Sequence, residues 1–237
     1  MSIEIKHLVE TDFPQIAELY PWPGDFWIRA NFAQSINGKV TDDSKLLYLA
    51  TEKDKFLFRY LRATADCLII GRQTAISQPY QEIKLSKKYL PLRHTYEPLQ
   101  LVLVSNSLEF PPGFFANFNH KPLLVTNQNS LVSHSEILPW VEPIILGEVK
   151  VDLNLLKPEL IKRGYLRVLC EGGPDLVTSL VNFDLIDEID LTVSNQLVAS
   201  SGKSMLSSNL KTEKIDFFYF EQVLYDQENL FMRILKK

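Results

Sequence analysis

Short, continuous runs of apolar residues recur through the middle of the chain, and each run is bounded by glycine or by polar residues. The runs lie at 66–70, 99–104, 122–125, 143–146 and 166–170. Runs of this length without alternation are typical of strands covered on both faces, as in a largely parallel sheet. Helical patterns at 152–163 and 175–183 separate the later runs. The pattern therefore predicts an α/β domain with helices on both faces of its sheet.

The N-terminal part of the chain combines chain breakers with one strand pattern and one helix pattern. Residues 1–25 contain several prolines, and we expect an extension that holds one short helix. A first strand is predicted at 26–33. Thr51 and Asp54 have the spacing of a capping box, a hydroxyl followed by a carboxylate, which opens a helix to about Ala63.

The pattern changes towards the C-terminus. From Glu188 polar and apolar residues alternate, which predicts a half-exposed strand. Residues 217–224 and 230–235 predict an antiparallel hairpin. With the apolar runs, these elements predict a three-layer α/β fold with a mixed, mostly parallel sheet and an antiparallel C-terminal hairpin. No linker or repeat interrupts residues 26–237, which are predicted to form a single domain.

Composition narrows the class of protein. The net charge of −4 argues against a general nucleic-acid binder, because such proteins need a basic surface. Cys67 and Cys170 lie inside apolar runs, and the histidines lack the spacing of metal ligands, so neither a disulfide nor a metal site is predicted. No apolar run reaches the roughly 18 residues of a membrane span, and the N-terminus lacks a signal-peptide pattern. We expect a cytoplasmic protein that acts on a small molecule.

Residues suited to a ligand follow the run at 66–70. In a parallel sheet, ligands bind at the carboxyl ends of the strands, where loops and helix N-termini gather. Gly71 permits a sharp turn, and Arg72 with Thr74 offers a guanidinium and a hydroxyl that suit a phosphate. The same residues also fit a plain strand–helix turn in which Thr74 caps the helix. Both interpretations are open from these residues alone.

A pair of glycines, Gly172 and Gly173, separates the last apolar run from a predicted helix. Paired glycines at such a junction admit a diphosphate, and the helix N-terminus favours an anion. A tight turn that needs two glycines is the alternative. After the run at 99–104, Ser105 and Asn106 either cap a loop or hydrogen-bond a ribose or phosphate.

The segment Ser35-Ile36-Asn37-Gly38 follows the first predicted strand. Asn-Gly is a common hairpin turn, so an ordinary turn is one interpretation. A ligand loop is the other, because the segment is predicted to lie at the same sheet edge as the three segments described above. Four such loops on one edge favour a binding site.

These segments, in this order, resemble the reductase domain of bacterial riboflavin biosynthesis over roughly residues 26–200, and more distantly dihydrofolate reductase. The motifs that match lie at 35–38, 61–74, 171–173 and 185–188. The Gly-Arg-x-Thr form at 71–74 is especially similar to dihydrofolate reductases. The resemblance implies a dihydrofolate-reductase-like fold and a homodimer. The Rossmann fingerprint is absent, so a standard dinucleotide-binding fold is not predicted.

The resemblance also implies an NADPH-dependent oxidoreductase. Its implied reaction converts the ribose of 5-amino-6-(5-phosphoribosylamino)uracil to a ribityl chain, by hydride transfer to C1 of the opened sugar. The residues implied to hold the diphosphate are Gly71, Thr74, Gly172 and Gly173. Those implied for the adenosine 2′-phosphate are Arg72, Ser105 and Asn106, with Ala33 beside the nicotinamide. The implied substrate contacts are Ser35, Asn37 and Arg62, and the candidates at the reacting atoms are Asn37 and Glu171.

Two departures from the family pattern leave alternatives open. The loop carboxylate of the family is replaced by Asn37, an amide that does not titrate. A non-catalytic nucleotide-binding paralogue and a dihydrofolate- or pterin-reductase-like activity therefore remain as alternatives. The family's acidic segment with its phosphate-binding arginine is also missing after Thr74. Candidates to replace that arginine are Lys84, Lys87, Lys88 and Arg93.

Overall fold

The computed structural model describes residues 5–8, 12–42, 45–46, 49–81, 83–94, 98–198, 202–211 and 218–237. Its strands are β1 (Ile5–His7), β2 (Trp27–Ser35), β3 (Thr41–Asp42), β4 (Lys45–Leu46), β5 (Cys67–Gly71), β6 (Gln100–Val104), β7 (Leu123–Thr126), β8 (Glu142–Ile145), β9 (Arg167–Cys170), β10 (Glu188–Ser194), β11 (Phe218–Tyr225) and β12 (Asn229–Lys236). Its α-helices are α1 (Phe13–Leu19), α2 (Glu52–Thr64), α3 (Arg72–Ser77), α4 (Gln128–Ser133), α5 (Leu156–Lys162) and α6 (Pro174–Asn182).

Within the described residues, ten strands form one sheet in the order β1-β11-β12-β10-β2-β9-β5-β6-β7-β8, and β3 pairs with β4. The strands from β2 through β8 in this order are parallel, and β10 is parallel to β2. β12 runs antiparallel to both β10 and β11. The predicted mixed, mostly parallel sheet and its antiparallel C-terminal hairpin are confirmed.

Hydrophobic clusters cover both faces of the sheet. In β5, Leu68 and Ile70 belong to the cluster that contains Leu61 of α2. Ile69 belongs to the opposite cluster, which contains Leu156 of α5 and Val177 of α6. Successive side chains of a strand point to opposite faces, so a strand covered on both sides must be apolar throughout. This is why the continuous apolar runs identified the central strands.

The helices begin close to the predicted residues. Thr51 is the N-cap of α2, and its side chain accepts a hydrogen bond from the Asp54 backbone N–H at 3.4 Å. The predicted helix at 152–163 is a 3₁₀ turn, Leu153–Leu155, that continues into α5. The described helices are all too short to cross a membrane.

The prediction that the strand beginning at Glu188 is half-exposed is wrong. Glu188, Asp190 and Thr192 are each at most 2% exposed, although they belong to the polar face of β10. Its acidic side chains are buried with cations. Arg29 Nε lies 3.0 Å from Glu188 and 3.2 Å from Asp190, and Arg233 Nε lies 2.7 Å from Glu188. The alternation marked two chemically different faces, and every residue of β10 except the partly exposed Val193 is buried.

The N-terminal segment contains the short helix that was predicted, α1, whose first turn is capped by Asp12. β1 pairs in parallel with the end of β11 and thereby joins the main sheet. Trp22 lies over the buried guanidinium of Arg29 at 4.3 Å. The described part of residues 1–25 thus packs on the sheet, and the boundary at residue 25 stays a prediction.

Candidate active site

Two adjoining cavities lie at the carboxyl ends of the parallel strands. The larger, of about 560 Å³, is lined by residues that follow β5, β6, β8 and β9. The smaller, of about 310 Å³, lies between β2, α2 and the end of β9. Thr74, Ser77, Gly173 and Pro174 line both. Of the residues named from the sequence, the larger cavity contains Gly71, Arg72, Thr74, Ser105, Asn106 and Gly173, and the smaller one contains Ala33, Thr74, Glu171 and Gly173.

The two glycines at 172 and 173 allow three chain segments to meet. Gly172 has a φ of +86°, and a Cβ on it would lie 2.9 Å from the ring of Phe32. A Cβ on Gly173 would lie 2.8 Å from Thr74 Oγ1. The Gly71 N–H also donates to the Gly172 carbonyl at 2.8 Å. The positive φ of Gly172 favours glycine, and a Cβ at either position would require the Phe32 or Thr74 side chain to move, whether or not a ligand is bound.

Thr74 does not cap the helix that follows β5. The N-cap of α3 is Gly71, and Thr74 is buried within the helix. Its hydroxyl faces Gly173 in the wall between the two cavities. The alternative of Thr74 as an N-cap is therefore wrong, and this residue has a position from which it can contact a ligand.

The residues expected at a 2′-phosphate line the larger cavity but also have protein partners. Arg72 Nη1 donates to the Glu109 carbonyl at 2.7 Å. Asn106 Oδ1 accepts from the Val151 N–H at 2.7 Å, which joins the loop after β6 to the loop after β8. Ser105 Oγ donates to the Ser107 carbonyl. These side chains therefore help to hold the cavity wall in shape as well as line it.

The second group of candidates centres on Glu171. Arg62 Nε and Nη2 donate to the two oxygens of its carboxylate, each at 2.6 Å, and the Tyr80 hydroxyl donates to it at 2.7 Å. Burial and the neighbouring Glu171 raise the pKa of Tyr80 well above its ordinary value, so the hydroxyl keeps its proton. Arg62 lies behind Glu171, over the ring of Phe58, whereas Glu171 itself lines the smaller cavity.

The loop after β2 makes contacts with another loop. Asn37 Nδ2 donates to the Val198 carbonyl at 2.8 Å, and its Oδ1 accepts from the Val198 N–H at 3.2 Å. The Ser35 hydroxyl donates to the same Oδ1 at 2.8 Å. Neither Ser35 nor Asn37 lines either cavity. The structure brings Ala33, Glu171 and Gly173 together, and it leaves Asn37 outside this group.

Comparison with known protein families shows which family the chain belongs to. The family model described as the RibD C-terminal domain matches residues 26–222. The chain belongs to the RibD C-terminal domain family. The resemblance to the riboflavin-pathway reductase domain is thereby confirmed.

Two of the curated relatives of this RibD-type chain carry reductase names. A protein of Archaeoglobus fulgidus is 27% identical over 172 residues, which cover 69% of this chain and 77% of the relative, and it is named 2,5-diamino-6-ribosylamino-4(3H)-pyrimidinone 5′-phosphate reductase. A protein of Aquifex aeolicus with the same name is 25% identical over 170 residues, 66% of this chain and 71% of that protein. The riboflavin biosynthesis protein RibD of Chlamydia pneumoniae is 26% identical over 186 residues, 76% of this chain but 46% of the relative. The chain thus spans about half of that longer protein.

Solved structures confirm the fold of the RibD-type domain. A pyrimidine reductase-like protein from Corynebacterium diphtheriae superposes with a TM-score of 0.78 at 20% identity, over 94% of this chain and 98% of that one. The riboflavin biosynthesis reductase Rib7 of Saccharomyces cerevisiae gives a TM-score of 0.67 at 14% identity, over 96% and 100% of the two chains. The predicted dihydrofolate-reductase-like architecture is confirmed.

Sequence reasoning missed several charged residues of the RibD-type site. Lys150 and Lys203 line the larger cavity. Lys150 lies in the loop that follows β8, so the rule that ligand residues follow apolar strands identifies it. Asp54 lines the smaller cavity, but its spacing from Thr51 marked it only as a capping residue. Burial raises the pKa of Asp54, and this effect outweighs a hydrogen bond from the Thr192 hydroxyl and the nearby Lys55, which act in the opposite direction.

Two of the cations suggested from the sequence for a substrate phosphate lie away from the cavities. Arg93 donates to the Ala65 carbonyl at 2.7 Å. Ala65 directly precedes β5, so Arg93 lies at the amino ends of the strands, away from the two cavities. Lys88 lies over the rings of Phe13, Phe56 and Tyr89. Lys55, which the sequence did not single out, lines the smaller cavity.

Proposed function

We propose that this chain is an NADPH-dependent reductase of a ribosylaminopyrimidine 5′-phosphate. The main structural support for this proposal is the pair of adjoining cavities that share Thr74 and Gly173, one for the cofactor and one for the substrate. The names of the curated relatives supply the reaction class. The substrate is either 5-amino-6-(5-phosphoribosylamino)uracil or 2,5-diamino-6-ribosylamino-4(3H)-pyrimidinone 5′-phosphate, which carry the same phosphorylated ribose. The enzyme is proposed to act as a cytoplasmic homodimer, and sedimentation velocity of the purified chain tests the dimer.

The larger cavity fits a phosphorylated dinucleotide. Its volume of about 560 Å³ is within the usual range for small-molecule sites. Arg72, Lys150 and Lys203 line it, whereas Asp175 is its one lining carboxylate among the described residues, so the wall is cationic. At Gly173 the absence of a Cβ brings backbone close to Thr74, as a diphosphate site requires. Backbone and hydroxyl groups at 71–74 and 172–173 would hold the diphosphate, and the three cations the 2′-phosphate.

The smaller cavity fits the pyrimidine and the opened sugar. Phe32 and Phe58 provide apolar walls for a planar ring, and Glu171 provides acceptor oxygens for sugar hydroxyls. Arg62 and Tyr80 keep the Glu171 carboxylate in one orientation. When bound, NADPH supplies the hydride that reduces C1 of the opened sugar. The chain contributes orientation of the two reactants and a site from which water is excluded.

The test is turnover by the purified chain. NADPH oxidation is followed with each of the two pyrimidines, and the products are identified by mass spectrometry as ribityl compounds. Dihydrofolate is the matched control substrate, because a dihydrofolate- or pterin-reductase-like enzyme would reduce it. Reduction of either phosphoribosyl compound with no turnover of dihydrofolate supports the proposal. NADPH binding without turnover of any of the three would instead support a non-catalytic paralogue.

A further inference from the structure

A carboxyl group that the proposed binding roles leave unused lies in the wall of the smaller cavity. Asp54 belongs to the first turn of α2 and is 7% exposed. The Thr192 hydroxyl of β10 lies near its carboxyl group and favours the charged form, against the stronger effect of burial. Thr192 is the register partner of Ala33 in the neighbouring strand β2, and Ala33 lines the same cavity. Asp54 is therefore held beside the strand that forms the cavity floor.

We propose that Asp54 is the catalytic acid of this reductase, which donates a proton to the nitrogen attached to the sugar's C1 as C1 is reduced. The inference rests on the proposed function, and it deepens it by naming the proton donor. The loop after β2 has Asn37 where the family has a carboxylate, so this loop offers no acid. An acid on α2 makes a carboxylate in that loop unnecessary.

Glu171 is the competing carboxyl group in this cavity, and its contacts fit it for a different role. Its two oxygens accept three hydrogen bonds, two from Arg62 and one from Tyr80, which hold the group in one orientation for contact with the substrate. The hydroxyl near Asp54, that of Thr192, is neutral. The cation that acts on Asp54, Lys55, is bonded to the exposed Glu52 at 2.8 Å. Burial in the cavity wall raises the pKa of Asp54, which favours the protonated form that an acid needs.

The proposed step balances in atoms and charge. The opened sugar is joined to the pyrimidine amine through a C1=N double bond. C1 accepts a hydride from the nicotinamide cofactor, the π electrons of the double bond move to nitrogen, and nitrogen takes the proton of the Asp54 carboxyl group. The products are a ribitylamine, the oxidised cofactor and the Asp54 carboxylate, which regains a proton from water after product release. An amide at position 54 has no acidic proton to give.

The central experiment compares Asp54→Asn with Glu52→Gln in the full-length chain. Both variants remove a carboxyl group from the first turn of α2, but the side chain of Glu52 is 82% exposed and lines neither cavity. Asp54→Asn should slow the single-turnover rate of reduction by at least about 10²-fold, the usual contribution of a general acid. Glu52→Gln should keep the wild-type rate, and both variants should keep the wild-type NADPH dissociation constant. A wild-type rate in Asp54→Asn overturns the proposal while leaving the reductase function intact.

The pH profile separates an acid from a merely structural residue. Only the protonated form of Asp54 donates, so the wild-type single-turnover rate should fall as pH rises through its raised pKa. Among the described residues, Lys55 acts on the pKa of Asp54, and Glu171 and Tyr80 are titratable groups that line the same cavity. Asp54→Asn should lose this descending limb, and Asp54→Glu should restore it with a lower rate.

A measurement without turnover completes the test. Carbon NMR of the cofactor-free chain, assigned by the loss of one signal in Asp54→Asn, should give a carboxyl pKa above the ordinary aspartate value. A carboxyl group that titrates in the normal aspartate range, or a descending limb that persists in Asp54→Asn, overturns the proposal. If Asp54→Asn folds poorly, Asp54→Ser is measured in its place. Failure of the wild-type chain to reduce any substrate would count against the proposed function and leave the NMR result to stand by itself.

Discussion

Arg62 and Glu171 form a two-pronged ion pair in which both nitrogen–oxygen distances are 2.6 Å. The two residues are 109 positions apart and join α2 to the end of β9, with side chains 19% and 4% exposed. The pair keeps a carboxylate in the cavity wall in one orientation.

Arg62→Ala should destabilise the fold by about 3 kcal/mol, near the lower end for a broken buried pair because Arg62 is partly exposed. The loss arises because Glu171 is left buried without its cation. Arg62→Lys keeps the charge but not the planar fork, so a smaller loss is expected. Urea unfolding of the three proteins measures the difference. Equal stability of Arg62→Ala and wild type would mean that Glu171 finds another partner.

Gly173→Ala should weaken NADPH binding and destabilise the chain by about 1–3 kcal/mol, the usual effect of overpacking. The added Cβ would lie 2.8 Å from Thr74 Oγ1. The double variant Gly173→Ala with Thr74→Ala removes that clash and should recover part of the stability, whereas the cofactor affinity should stay low. Recovery of both quantities would show that the two residues only pack against each other.

Preference for NADPH over NADH should depend on Arg72 and Lys150, which line the larger cavity. Loss of one charge-assisted contact to the 2′-phosphate costs on the order of 1.5–3 kcal/mol, or roughly tenfold to 150-fold in affinity. Arg72→Ala and Lys150→Ala should each weaken NADPH binding within this range and leave NADH binding nearly unchanged. Fluorescence titration with both cofactors measures it, and an equal loss for the two cofactors would count against this assignment.

Asn37→Asp should not create a new catalytic acid. Asn37 Nδ2 donates to the Val198 carbonyl, and a carboxylate would place an acceptor against that acceptor. We therefore expect a modest loss of stability, with no added ionisation in the pH profile of reduction, because the residue lines neither cavity. Thermal unfolding and the pH–rate profile test both parts. A higher rate in this variant would place the loop beside the reacting atoms.

Asp54→Asn should gain stability relative to wild type as pH rises. An acid whose pKa is raised in the fold favours the folded state when protonated, below its unfolded pKa, and opposes it once pH exceeds its folded pKa. Asparagine removes this penalty. The exposed Glu52 has a lowered pKa because of its hydrogen bond with Lys55, so Glu52→Gln should show the opposite sign. Thermal melts across acidic and neutral pH measure the difference, which should shrink in acid.

Local patterns in the amino-acid sequence were enough to predict most of the helices and strands and the strand ends at which the candidate site lies. Continuous apolar runs reflect strands covered on both faces, and Thr51 satisfies N–H groups that any helix leaves unpaired at its start. Both signals are local, because they depend on a residue and its near neighbours. The glycines at 172 and 173 belong to the same class, since a Cβ at either would lie under 3 Å from a neighbouring side chain.

The tertiary structure alone decided which polar side chains meet. Asn37 is hydrogen-bonded to Val198, 161 positions away. It therefore lies outside the cavities, although its sequence motif predicted a place beside the ligand. Asp54 has the spacing of a capping residue, but its carboxyl group contacts Thr192 on a distant strand and lies in a cavity. The alternation in β10 could not reveal burial, because a polar face paired with Arg29 and Arg233 has the same pattern as a face in water. Such outcomes depend on which distant segments the sheet order places together, and no local pattern records that order.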